Sequence, residues 1–462
     1  MEKSKPTLFQ LSFLLSLILL SSCVAKDDKA ILGRWEATVK QPDREDTYIF
    51  SIECDIWGSL FGNITTYMDG NLLPSTRISK IDFDFPYFSM KIENLTVPVK
   101  YTGEMSADKT RLIGEFIYVN PHIESAKLTL IKSGTDQKKV EEYSYSIPVC
   151  EEFPCKNVSE AGLDKNLLED MINSLRHQKY GMINSVLIYK DNTLVLEEYL
   201  GGFSRNKLHQ MQSVTKSITS LLIGIAIDKG LIGSIDDNIT AYIAETEWST
   251  GWEKVTIRHL LTMTSGVNWE NSKTDADLGT AEILGKPIIY EPGSRFEYNA
   301  AMQLLAEILV NASGKSVADF AKENLFLPLG IINYKWGKSA DNNYHLCTGA
   351  LQLTSLDLLK IGILVKQKGR WNNIQIISEH WIEEATSIQV KIPRNRDQHY
   401  GYLWWQGKVK LRSGRIDSIF AHGMGSQFIF IIPDRDMIII TTGNNFYNHK
   451  HLAPFKILRK YI

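Results

Sequence analysis

Met211–Gly230, MQSVTKSITSLLIGIAIDKG, places Ser213 and Lys216 three residues apart where a helix is expected to begin. Apolar residues at Val214, Ile218, Leu221, Leu222 and Ile225 follow helical spacing. Ser213, Lys216, Ser217, Ser220 and Gly224 make a second face of polar and small side chains, and Gly230 supplies the stop. Positions i and i+3 share a helix face, so the amine of Lys216 falls within reach of the Ser213 hydroxyl. That is a nucleophile beside a base. The helix N-terminus adds unpaired N–H groups and the positive end of its dipole where an alkoxide and then an oxyanion would form. The spacing alone discriminates poorly: Ser106 and Lys109 repeat it in EMSADKTRL, a turn-like stretch between strand-like runs. What separates the two pairs is the chain downstream of each.

At 462 residues the chain is too long for one ordinary core, and two or three domains are expected. A net charge of -2, with no long run of one sign, points away from nucleic acid and towards a small substrate. Lys3, Lys5 and the apolar run LFQLSFLLSLILL, followed by Ser21, Ser22 and Cys23, read as an export signal over residues 1–22. Leu20-Ser21-Ser22-Cys23 resembles the bacterial lipobox, which implies a lipid on Cys23, a tether over 23–30 and anchorage at the bacterial outer membrane, on its periplasmic face or the cell surface. Lys26-Asp27-Asp28 resembles the acidic tag of some surface-displayed lipoproteins. Cys54, Cys150, Cys155 and Cys347 remain; Cys150 and Cys155 bracket EEFP and either close a small loop or stay as two free thiols. None has zinc spacing with His, so no metal and no cofactor is assigned.

From 31 to 132 the runs GRWEATV, TYIFSIEC, GSLFGNITTYM, FSMKIENLTVPVKYTGEM, RLIGEFIYV and SAKLTLIK read as strands. They are separated by turn signals at Pro42-Asp43, Asp69-Gly70, Ala107-Asp108 and Asn120-Pro121. An all-β module is expected, an antiparallel barrel or a sandwich, and its Gly33-x-Trp35 resembles lipocalin-like modules. The polar stretch SGTDQKKVEEYSYSIPVCEEFPCKN marks a linker over 133–160. Residues 161–462 form the second domain. It opens with a helix around Leu167 to His177 and a hairpin about Asp191-Asn192. A mostly helical region runs to about Glu384, then strands return in YGYLWW, SIFAHG, QFIFIIP and MIIITTGN, closed by a helix around Leu458. This order implies an α+β fold, an antiparallel sheet assembled from both ends of the domain and flanked by helices, with a helical insertion.

QSVTKS around Ser213, VTIRHLLTMTSGVNWE from Val255, EPGSRFEY ending at Tyr298, LTSLDLLKIG from Leu353, YGYLWW from Tyr400 and AHGMGSQFIFIIPDRDMIIITTGN from Ala421 follow one another in a telling order. With them the second domain resembles the serine beta-lactamase and penicillin-binding-protein superfamily. More narrowly it is similar to the class C beta-lactamase-like esterases and aminohexanoate-oligomer hydrolases. The resemblance implies a serine hydrolase in which Tyr298 works with Lys216 as general base for Ser213. Tyr and Lys both titrate near pH 10 when free, and a phenolate beside an ammonium favours the charged form of each. Family members often carry Tyr-x-Asn, whereas Tyr298 is followed by Asn299 and Ala300, so either Asn299 orients substrate or that contact is lost. The late Lys/His-small-Gly motif maps onto Ala421-His422-Gly423, or one residue later onto His422-Gly423-Met424. It implies an oxyanion hole from the N–H groups of Ser213 and Met424, with Gly425 the alternative donor and His422 and Gly423 beside the substrate.

No Gly-x-Ser-x-Gly occurs, which removes the nucleophile elbow of an alpha/beta hydrolase. The expected activity is hydrolysis of a small ester or amide through an acyl-enzyme. The alternatives are a D-amino-acid peptidase or beta-lactamase-like activity, and a ligand-binding or sensor protein that kept the fold.

Overall fold

The computed structural model describes residues 28–40, 45–54, 59–68, 71–72, 76–92, 99–118, 126–133, 142–244, 248–269, 279–339, 343–392, 397–446 and 449–462. The export signal, Cys23, Lys26 and Asp27 of the acidic tag, and the turns at Pro42-Asp43, Asp69-Gly70 and Asn120-Pro121 lie outside these residues. Among the described residues no helix is long and apolar enough to cross a membrane. The chain divides into two compact units at Glu142.

The first unit is a closed antiparallel barrel. Its strands are Gly33–Lys40, Glu45–Cys54, Leu60–Met68, Thr76–Asp84, Tyr87–Ile92, Val99–Met105, Arg111–Tyr118 and Ala126–Lys132, with the short Asn71–Leu72 appended. Gly33–Lys40 pairs with Ala126–Lys132, and Glu45–Cys54 pairs with Leu60–Met68, so the sheet meets itself and leaves no long edge. Inward positions alternate along each strand and fill the interior with Trp35, Phe50, Met90, Tyr101, Leu112 and Leu130. The Tyr101 hydroxyl donates to the Leu128 carbonyl at 2.8 Å, and the Trp35 indole to the Ile31 carbonyl at 2.7 Å, so both polar tips are satisfied inside. Two sequence expectations change. FSMKIENLTVPVKYTGEM supplies two strands that pair with each other, and TRISKIDFD, not among the runs named above, is a further strand. Its apolar residues are diluted by Arg77, Lys80, Asp82 and Asp84, and a bulge between Ile78 and Lys80 breaks the alternation.

In the second unit eight antiparallel strands run across the sheet in the order Thr193–Tyr199, Ile183–Lys190, Met437–Gly443, Gln427–Ile432, Gly414–Gly423, Trp405–Leu411, Gln398–Tyr400 and Val390–Lys391. The first two come from the start of the domain and the rest from its end. Asp191 and Asn192 both have positive φ, 49° and 59°, as the two-residue turn between the first hairpin's strands requires. Val186, Ile188, Phe430 and Ile439 face helices Lys165–Arg176 and Ala453–Tyr461. Leu187, Ile429, Ile438 and Ile440 face the larger core that holds helices Val214–Asp228 and Ser355–Lys366. Strands covered on both sides explain the unbroken apolar runs FIFII and MIII.

The Val214–Asp228 helix is buried on every side, from Val214 to Ala226, which corrects the expectation of a polar face. Its small residues admit neighbours instead. The Ser217 hydroxyl donates to the Leu403 carbonyl at 2.7 Å, and a Cβ on Gly224 would collide with the Trp381 ring. Gly230, at φ +68°, ends the helix and donates its N–H to the Ile227 carbonyl.

Two further readings change. YGYLWW is no strand: Gly401, Tyr402 and Leu403 form a bend between two strands, with Leu403 at φ 60°. The described part of the expected linker packs on the second unit, because Tyr143 and Tyr145 are buried and the Tyr145 hydroxyl donates to the Val195 carbonyl at 2.9 Å. Cys150 and Cys155 are joined as a disulfide, with Cα atoms 5.5 Å apart.

Candidate active site

Ser213 sits where the short strand His209–Gln210 turns into the Val214–Asp228 helix. The turn is made by Gln212 at φ 49°, a left-handed backbone that an L side chain adopts at a cost, and Met211 anchors it by donating its N–H to the Leu351 carbonyl at 2.8 Å. One turn into the helix, Lys216 places Nζ 2.9 Å from Ser213 Oγ and 2.7 Å from the Thr348 carbonyl. The loop that presents Thr348 is held from behind. The buried Gln303 accepts the N–H groups of Cys347 and Thr348 at 2.8 Å and 3.3 Å, and donates to the His345 carbonyl at 2.9 Å.

Tyr298 arrives from the loop before the Asn299-capped turn, and its hydroxyl is turned towards the Ser213 side chain. The residue is 40% exposed, yet its hydroxyl end is enclosed. Burial pushes the phenol up to about 12, and the neighbouring Ser213 offsets this only in part. Lys216 Nζ stands over the Tyr298 ring, 5.2 Å from its centroid. The Tyr298 hydroxyl is thus turned to serine and its ring face to the Lys216 side chain. Cys347, buried nearby, has its thiol raised to about 12 by burial.

The late motif lies alongside. A Cβ on Gly423 would collide with the Met211 carbonyl oxygen, so glycine lets the strand edge press against the loop that carries Ser213. Met424 follows at the strand end and is 45% exposed. Gln427 braces the turn, donating to the Met424 carbonyl at 3.1 Å. His422 stacks on Phe428 at 4.4 Å between ring centroids, and its Nε2 is buried without a hydrogen-bond partner. Burial first, then the fields of His451 and Lys216, lower its pKa to about 4 and keep the ring neutral.

A cavity of about 390 Å³ opens beside Ser213, with Tyr298, His422 and Met424 in its wall. Asn299 is not among its lining residues; its Oδ1 caps the following turn by accepting the Ala301 N–H at 2.9 Å. An extended residue followed by a 3-10 turn uses its side chain for the cap, which favours the alternative in which the substrate contact is lost. Gly425 is likewise absent from the lining and gives its carbonyl to the Asn445 N–H at 3.1 Å. The sequence reading did not single out Gln303, Trp405, Phe420 or Phe455 as site residues, although Trp405 and Phe420 stand within quoted motifs.

Comparison with known proteins bears on the family and fold of the second domain. A beta-lactamase family model matches residues 169–458. An uncharacterised protein of Alkalihalophilus pseudofirmus is 26% identical over 312 residues, 60% of this chain and 88% of its own length. The 6-aminohexanoate-dimer hydrolase of Paenarthrobacter ureafaciens is 20% identical over 287 residues, 56% of this chain and 71% of its own. A solved class C beta-lactamase superposes with a TM-score of 0.51 at 17% identity, covering 64% of this chain and 95% of that one, which shows a shared fold.

Proposed function

Since this chain belongs to the beta-lactamase family of serine hydrolases, we propose that it cleaves a small uncharged ester or amide through an acyl-enzyme on Ser213. The observation that carries this reading is the hydrogen bond from Lys216 Nζ to Ser213 Oγ at 2.9 Å, with Tyr298 beside both residues. Ser213 attacks the substrate carbonyl and its proton passes to the Lys216–Tyr298 couple. The tetrahedral oxyanion is held by the N–H of Ser213 at the helix start and by that of Met424. Collapse expels the alcohol or amine, which takes the proton back from the couple. A water then repeats the sequence on the acyl-enzyme, giving the acid and free Ser213.

A fluorophosphonate probe tests this reading. Intact protein should gain the mass of one phosphonyl group on the peptide containing Ser213, and Ser213→Ala protein of unchanged circular dichroism should gain none. Equal labelling of both would remove Ser213 from the mechanism.

A further inference from the structure

The cavity beside Ser213 has an aromatic wall. Trp405 stacks on Tyr298 with centroids 5.7 Å apart and lies nearly parallel to Phe420 at 6.2 Å. Phe420 in turn meets Phe455 edge-on at 5.6 Å. Thus a chain of rings runs from Tyr298, beside Ser213, to the far side of the cavity, and Met424 and Leu452 add further apolar surface. None of the lining residues carries a permanent charge: the polar ones besides Ser213 and Tyr298 are Gln398, His422 and His451.

We propose that this cavity holds an uncharged aromatic group of the substrate, against the Trp405–Phe420–Phe455 wall, which makes aryl-bearing esters or amides the preferred class. The inference rests on the reading of Ser213 as nucleophile. Three properties of the site support it. The volume, about 390 Å³, lies in the range of small-molecule pockets, and an acetyl group leaves most of it to water. Rings already arranged in offset-stacked and edge-to-face pairs present a further ring with both kinds of contact. A carboxylate or phosphate here would lose its hydration and meet no Lys or Arg among the lining residues, which is costly.

The test uses the full chain, shown first to react with a fluorophosphonate, and two ester series. In one the acyl group varies on constant p-nitrophenol, from acetate through butyrate and octanoate to phenylacetate. In the other the alcohol varies on constant acetate, comparing ethyl, benzyl and choline esters, and each rate is divided by that of alkaline hydrolysis. In one series the aryl member should exceed its smallest member at least tenfold in kcat/KM; which series responds tells whether the ring belongs to the acyl or the alcohol half. Phe455→Ala, or Leu452→Trp at an exposed position, should cut that ratio at least fivefold. A flat response in both series, preference for octanoate, or preference for the choline ester overturns the inference while leaving Ser213 in place. Failure to label and to turn over any ester overturns the reading of Ser213 and this inference together.

Discussion

The amine of Lys216 lies over the face of Tyr298, 5.2 Å from the ring centroid, while the Tyr298 hydroxyl turns to Ser213. The tyrosine thus does two separable things: its ring face lies under the Lys216 amine, and its hydroxyl stands beside the serine oxygen. Tyr298→Phe keeps the first and removes the second, and should slow acylation by about two orders of magnitude, the scale of a lost proton-transfer group. Tyr298→Leu removes both and should be slower still. Lys216→Ala should match or exceed the loss in Tyr298→Phe. Single-turnover acylation rates measure all three, and wild-type rates in Tyr298→Phe would make the hydroxyl a bystander.

Gln303 acts on Lys216 without touching it. It holds the N–H groups of Cys347 and Thr348, whose carbonyl in turn takes a hydrogen bond from Lys216 Nζ. Gln303→Met keeps the volume and loses the clamp, which allows the Thr348 carbonyl to drift and Lys216 with it. Misplacement on this scale should lower kcat by roughly 10- to 100-fold with KM little changed. An equal fall in Tm and in every kinetic constant would show only a damaged core, and an unchanged kcat would remove Gln303 from the mechanism.

Gly423→Ala should injure activity more than stability. The added methyl meets the Met211 carbonyl oxygen, a rigid backbone atom, so the strand edge and the Ser213 loop must separate. Separation moves Met424 away from the place where both N–H groups would meet one oxyanion. Removing such a donor costs roughly 100- to 1000-fold in kcat. Retention of more than half the wild-type kcat would show that the edge is not part of the oxyanion hole.

The parts of this architecture that were legible in the sequence are those set by local spacing. Ser213 and Lys216 meet within one helical turn, and Asp191-Asn192 forces a tight hairpin whatever surrounds it. The continuous apolar strands of the second unit declared themselves because both of their faces are covered. By contrast, the bond from Lys216 to Thr348 spans 132 positions, and no period in the chain announces it. Gln303 was hidden in the same way, as a polar residue whose partners are loop N–H groups more than 40 positions away. Phe455, on the last helix, reads as core until the fold sets it against Phe420. The two alternatives left open for Asn299 could not be separated by sequence position, because the cap it makes on the local turn shows only in the fold.

Acid should weaken the fold through His209. This residue is buried behind the Ser213 loop, within 3.1 Å of Asn184 Oδ1 through Nε2, and burial lowers its pKa to about 4. An unfolded histidine titrates near 6.5, so between those values the unfolded chain binds the proton and the folded chain does not. The stabilisation is complete above about pH 6.5 and is lost as the pH falls towards 4, by up to roughly 3 kcal/mol for a shift of this size. Urea unfolding of wild type and His209→Asn at pH 7 and pH 4.5 measures the difference. Parallel falls in the two proteins would assign acid sensitivity to other groups, including His422, whose pKa is also lowered to about 4.

Discrimination against carboxylate-bearing substrates follows from the late motif. In beta-lactamases and penicillin-binding proteins the Lys of that motif helps to hold the substrate carboxylate, and a fixed cation makes a strong, oriented bond to such a group. Ala421 here is fully buried, and His422 is held neutral by burial, so neither supplies a charge. Two arginines just upstream do not replace it: Arg415, on the motif's own strand, is paired with Asp397 at 2.9 Å, and neither Arg415 nor Arg412 is among the residues lining the cavity. A short p-nitrophenyl ester should therefore show a higher specificity constant than a chromogenic cephalosporin or a D-Ala-D-Ala peptide, by about tenfold or more, the worth of one charge-assisted hydrogen bond. Installing the cation by Ala421→Lys or His422→Lys should narrow the gap, with the ester rate falling or holding as the cephalosporin rate rises. If wild-type protein turns over either carboxylate-bearing substrate faster than the ester, another cation reaches the bound substrate and the esterase-like reading fails.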